Sequence, residues 1–147
     1  NNIFVNNSNV AGAGLATAYR RSSTTLTSYA ANSNNNLFYG STIFTDGTNT
    51  DGTLGAYQSR VATRDVSSIS INPSFTSTAG SNSQFLHIDT ATPTLIEGGA
   101  TNIASYTDDF DGDSRNGSTP DIGADEFTGT PVATVVINSV GITPTGN

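Results

Sequence analysis

Asp108, Asp109, Asp111 and Asp113 crowd around Gly112, Arg115 follows, and Asp121, Asp125 and Glu126 surround the short apolar set Ile122, Ala124 and Phe127. Carboxylates this close repel one another unless an arginine, backbone N–H groups or a bound cation compensates them. Residues 107–127 therefore admit two readings. In one, Arg115 and backbone donors tie the stretch into a cap, with Arg115 within ion-pair reach of Asp109, Asp111, Asp113 or Asp121. In the other, Asp109, Asp111 and Asp113 ligate calcium. Their spacing is that of the first three ligands of an EF-hand loop, but Gly112 falls between the second and third acids and Ser114 stands where that loop has its glycine. Neither reading requires a cofactor, and calcium is the ion the acids suggest.

The other reactive side chains are scattered. His87, the single histidine, sits in Phe85-Leu-His-Ile-Asp89, where alternation places it opposite Leu86 and Ile88 and so outward, with Asp89 near enough to orient it. Arg60, Arg64 and Asp65 precede the apolar pair Ile69 and Ile71, and a solvated Arg64–Asp65 ion pair is the plain expectation. Asp46-Gly and Asp51-Gly lie in one polar loop and read as turn chemistry, with too few oxygen ligands for calcium. No acid pair outside residues 107–127 has the arrangement glycoside hydrolysis needs, and no basic cluster could neutralise a uronate carboxylate. No catalytic or cofactor-binding residue is assigned.

The elements that position these groups read as short strands. Asn1-Asn-Ile-Phe-Val5 returns as Asn35-Asn-Leu-Phe-Tyr39, thirty-four positions later. That interval exceeds the roughly 20–30 residues of one solenoid turn, so it implies either a long inserted loop or an extra turn. Residues 11–18 suit an outward loop, and residues 24–29 a strand on a second face. The paired asparagines fit a ladder in which each amide hydrogen-bonds its counterpart in the next coil. Further strands are expected at 68–71 and 94–96, with a bend at Pro93 and turns at Gly98 and Gly99. Ile3, Phe4, Leu37, Phe38, Ile69, Ile71, Leu86, Ile88 and Ile122 are the expected stacked core.

The paired segments Asp109-Phe-Asp-Gly-Asp-Ser-Arg115 and Asp121-Ile-Gly-Ala-Asp-Glu-Phe127 resemble the terminal part of secreted bacterial right-handed parallel β-helix proteins of the pectate-lyase-like type. Ile71-Asn-Pro-Ser-Phe75, Phe85-Leu-His-Ile88 and Thr92-Pro-Thr-Leu-Ile-Glu-Gly-Gly99 fall where such proteins carry similar elements, so the resemblance covers roughly residues 1–127. It implies an all-β solenoid, export to the cell surface or medium, and a following sorting domain of the type IX secretion system. It implies no particular chemistry, because such proteins include polysaccharide-degrading enzymes, adhesins and stalks.

Composition narrows the classes further. The chain has 147 residues with 34% hydrophobic and 12% charged, no lysine, five arginines and a net charge of −7. Such a surface repels phosphate backbones and argues against nucleic-acid binding. No apolar run reaches the roughly 18–20 residues of a membrane-spanning helix, so no membrane insertion is expected. The absence of cysteine leaves the redox compartment open, while the Asn-rich, lysine-free composition leans extracellular. An opening directly on a strand-like segment suggests a piece of a longer protein.

The expected organisation is β-helix coils over 1–127 with an acidic closing segment at 107–127, a linker at 128–131, and the first strand of a following β module at 132–147. The expected function is a non-catalytic structural or adhesive part of a larger secreted or cell-surface protein, offering polysaccharide or cell-surface glycan a polar face. The alternative is the C-terminal part of a carbohydrate-active β-helix enzyme, a lyase or a glycoside hydrolase, whose groove lies upstream.

Overall fold

Residues 1–133 are described by a computed structural model of the chain. The strand expected within 132–147 therefore lies almost wholly outside the described residues. Five short strands and one helix form the frame: β1 (Ile3–Asn6), β2 (Thr17–Arg20), β3 (Leu37–Gly40), β4 (Thr42–Thr45), β5 (Thr50–Asp51) and α1 (Leu54–Val61). The broad all-β expectation holds. The strands make two small sheets, β1–β3 and β2–β4–β5, and neither closes on itself.

β1 and β3 pair in parallel, Ile3 opposite Leu37 and Phe4 opposite Phe38, and a single parallel bridge adds Ile69 beyond Leu37. β2 and β4 also pair in parallel, while β5 returns antiparallel along β4 through the turn at Asp46 and Gly47. Of the two explanations for the thirty-four-residue interval, the long insertion is the one observed, since β1 meets β3 directly. The near-copied asparagines meet as expected: Asn2 donates its N–H and its amide to Asn36 Oδ1, at 2.8 and 3.1 Å. On the far side of the row, Ser68 Oγ accepts from the Asn36 N–H at 2.9 Å. Glycine ends β3 because the chain turns into β4 after one residue: a Cβ on Gly40 would stand 3.0 Å from the Asn6 carbonyl oxygen.

The core divides in two where one was expected. Successive strand residues face opposite sides of a sheet, so Phe4 and Phe38 join one cluster with Phe44, Tyr57 and Val61, while Ile3, Leu37 and Ile69 join another with Ile88, Ile96 and Ile122. In the first, Phe4 and Phe38 stack at 5.2 Å between centroids and Tyr57 meets Phe38 edge-on at 5.1 Å. In the second, residues 72–127 cover what would otherwise be the outer face of the β1–β3 sheet. Leu37 and Phe38 are both fully buried as a result, each contributing about 1.5–3 kcal/mol.

Several expectations give way to this packing. Residues 24–29 form no strand; the second face is supplied by β2. Residues 68–71 and 94–96 contribute one bridge each, at Ile69 and Thr94. Leu86 is exposed rather than buried, because its backbone is left-handed (φ 61°) and breaks the alternation that would have turned it inward. Helix α1 was unforeseen. Thr53 caps it by accepting from the Ala56 N–H, and Tyr57 and Val61, four residues apart, bury one face. Arg60 on its last turn makes a two-pronged ion pair with Asp51 at 2.6 and 2.7 Å.

Candidate functional site

The closing segment is built around Asp109. Its Oδ1 accepts the N–H groups of Asp111 and Asp113 at 2.8 and 2.9 Å, and its Oδ2 accepts that of Glu126 at 2.8 Å. Residues 108–114 fold back as a tight antiparallel turn on this carboxylate. Desolvation pushes the Asp109 pKa up, but the backbone donors together outweigh it and hold the carboxyl below its ordinary value. Asp121, by contrast, is buried. It accepts from the N–H groups of Gly98 and Phe127, yet burial prevails and, with Glu97 and Glu126 nearby, pushes it up to about 6. Ile122 beside it fills the second core, and Gly123 sits against β1, where a Cβ would lie 2.9 Å from Ile3 Cδ1.

Arg115 does not reach the aspartate carboxylates. It donates to the carbonyls of Asp121 and Gly123 at 2.6 and 3.3 Å and pairs with Glu126 at 3.5 Å. The chain reversal at 117–123 presents carbonyls to the guanidinium, and the Asp109 carboxylate is already held by N–H groups. Of the three calcium candidates, Asp109 is engaged by backbone donors, Asp113 is exposed, and Asp111 turns toward His87. Among the described residues, the group whose ligand atoms converge is His87, Asp111 and Asp125, one atom from each lying within 4.8 Å of the others. His87 is half-buried rather than outward, and Asp89 is spent on the Ala91 N–H. This triad could hold a metal ion. Its members are distant in sequence, so spacing gave no sign of it.

Two open concavities meet at Asn1 and residues 101–103. One, about 360 Å³, is lined by Ile103, Tyr106, Asp108, Phe110 and Ala124. The other, about 700 Å³, is lined largely by amides and hydroxyls, among them Asn2, Asn32, Asn34 and Asn35. Phe110 and Tyr106 are 85% and 68% exposed at the first. Rings left this bare beside carboxylate and amide groups form a surface with apolar platforms and hydrogen-bonding rims.

A buried polar hub centres on Asp65, with Asn36 and Ser33 reaching it from the lining of the second concavity. Asp65, fully buried, accepts from Tyr57 OH at 2.7 Å, Asn36 Nδ2 at 2.7 Å, Ser68 Oγ at 2.9 Å and the Tyr29 hydroxyl. Arg64 does not pair with it but donates to the carbonyls of Tyr29 and Ala30 and lies over the Tyr29 ring. The reason is burial: Asp65 (φ 55°) is turned inward, where a solvated pair cannot form. Burial and the hydrogen bond to Asp65 push the Tyr29 hydroxyl up to about 12, and burial raises Tyr57 as well. The hub locks α1, β3 and residues 29–36 together.

Residues 128–131 run beside 94–97: Thr94 donates to the Thr130 carbonyl at 3.1 Å, and Glu97 accepts from the Gly129 N–H at 2.9 Å. No helix in the described residues is long and apolar enough to cross a membrane. Comparison of the chain with known protein families, curated proteins and solved structures finds no match in any of the three, so the functional reading rests on the geometry above.

Proposed function

We propose that this chain is a non-catalytic structural or adhesive part of a larger secreted or cell-surface protein, formed as terminal coils of a right-handed parallel β-helix, and that it binds neutral polysaccharide along the joined concavities. The parallel pairings of β1 with β3 and β2 with β4, in matching chain order, support the coil reading, as does the row of Asn2, Asn36 and Ser68. The observation that carries the binding reading is the exposure of Phe110 and Tyr106 at two adjoining concavities rimmed by asparagines and Asp108. An exposed ring buries the C–H face of a pyranose, and amides and carboxylates bond its hydroxyls in pairs. With a net charge of −7, a neutral polymer suits the surface better than a uronate or a phosphate.

Affinity electrophoresis through gels containing a panel of neutral polysaccharides tests this. Retardation by at least one polymer is expected, with about a tenfold loss of affinity in Phe110→Ala and in Tyr106→Ala, the worth of one ring contact. Cleavage of the bound polymer by the purified chain would remove the non-catalytic reading. Absence of retardation throughout, or retardation indifferent to both substitutions, would remove the binding one.

A further inference from the structure

His87, Asp111 and Asp125 are not among the residues lining the two concavities, and they come from separate stretches of chain. His87 lies on a backbone-paired turn, its carbonyl accepting from the Thr76 N–H while Phe75 bridges Ile88. Asp111 is at the tip of the 108–114 turn and Asp125 is in the closing segment. His87 Nε2 lies 3.4 Å from Asp111 Oδ2, and Nδ1 lies 3.7 Å from Asp125 Oδ2. Both separations are too long for hydrogen bonds of ordinary strength. The two contacts use different ring nitrogens, and with a single nitrogen taken from His87, that atom and one oxygen from each carboxylate all lie within 4.8 Å of one another.

The neighbours hold these groups in place without neutralising them. Asp111 is fixed through its N–H bond to Asp109, and Asp125 follows Ala124, whose carbonyl accepts from the Phe110 N–H at 2.9 Å. Among the described residues, the imidazole is the basic group within ion-pair reach of Asp111 and Asp125, since Arg115 is committed to Glu126 and two carbonyls. Two carboxylates beside an imidazole bring together two anionic oxygen donors and one nitrogen donor. All three side chains keep partial access to solvent, at 26%, 40% and 20% exposure, so an ion can enter and water can complete its shell.

We propose that His87, Asp111 and Asp125 bind a first-row divalent metal of the zinc class, which clasps the closing segment to the 74–89 hairpin. The nitrogen ligand sets the selectivity: imidazole suits zinc and its neighbours, whereas calcium takes six to eight oxygens. The ion is held through one ring nitrogen and an oxygen from each carboxylate, with the other nitrogen keeping its proton. The site shares only Asp111 with the calcium candidates read from the acidic run.

Thermal unfolding of the chelator-treated chain, with Zn²⁺ alone and with Ca²⁺ alone at equal concentration, tests the assignment, with zinc affinity measured separately by competition against a chromophoric chelator. Zinc at a hundred times its Kd should raise Tm by roughly 5–10 °C, and calcium should not. His87→Gln and Asp125→Asn should each weaken zinc at least tenfold, and His87→Gln should retain the metal-free Tm. A Tm unmoved by zinc, an equal response to calcium, or zinc affinity unchanged in His87→Gln would each overturn the proposal, leaving His87 as the counter-ion of the two carboxylates.

Discussion

Asp65→Ala should be among the most damaging single changes in this chain. The carboxylate has no exposed surface and receives four close side-chain donors, from Tyr29, Tyr57, Asn36 and Ser68, with Ser33 Oγ a fifth at the longer distance of 3.5 Å. A hydrogen bond to a charged acceptor contributes about 1.5–3 kcal/mol, so four of them amount to about 6–12 kcal/mol. Burying a carboxylate without a cation offsets several kcal/mol of that. Removal should then cost about 3–5 kcal/mol, a large share of the roughly 5–15 kcal/mol typical of a folded domain. Asp65→Asn keeps the shape but sets an NH₂ against existing donors, and should cost about half as much. Tyr57→Phe removes one donor and leaves three, and should cost least, about 1–2 kcal/mol. Urea unfolding followed by circular dichroism reads these values from the midpoints, provided the m-values stay constant. The double variant Asp65→Ala/Tyr57→Phe should be less damaging than the sum of its parts by at least about 1 kcal/mol. A loss below about 1 kcal/mol for Asp65→Ala, or strict additivity in the double variant, would refute the hub as a stabilising unit.

Two further outcomes concern the closing segment. Arg115→Ala strips the carbonyls of Asp121 and Gly123 of their donor and leaves Glu126 without its cation; a loss of about 2–3 kcal/mol is expected, seen as faster amide exchange confined to residues 96–99 and 116–127. Uniform exchange across the chain would contradict this local role. Asp121, pushed up to about 6, stabilises the fold most below its ordinary value near 4, and that contribution, about 3 kcal/mol, is lost as pH rises from about 4 to about 6. Asp109 acts in the opposite sense: its lowered pKa contributes stability at neutral pH that is lost as pH falls below about 4. Asp121→Asn should therefore flatten the stability profile between pH 4 and 6, and an unchanged slope there would rule out Asp121 as its source.

Local chemistry was readable from the chain alone. Backbone donors were foreseen as partners for the acidic run, and Asp109 receives them, because an Asp-Gly turn brings N–H groups to a side chain only two to four residues away; Arg115, expected beside an aspartate carboxylate, instead meets Glu126 and two carbonyls. The pairing of Ile3 with Leu37 and Phe4 with Phe38 was likewise written in the near-copied Asn-Asn-apolar-Phe segments. Helix α1 left a signal that the surrounding Asp-Gly pairs obscured, a threonine cap before Leu54, Tyr57 and Val61 at helical spacing.

What only the tertiary structure decided is how distant segments meet. The division of the core follows from residues 72–127 lying across the second face of the β1–β3 sheet. Periodicity shows that neighbours in a strand point apart, but not that both sides will be covered. The Asp65 hub and the His87, Asp111 and Asp125 triad gather residues up to about forty positions apart, and a carboxylate's role depends on what surrounds it. Asp65 became a buried acceptor and Asp111 a neighbour of His87 because burial and long-range approach, rather than the identity of adjacent residues, set the electrostatics of each carboxylate.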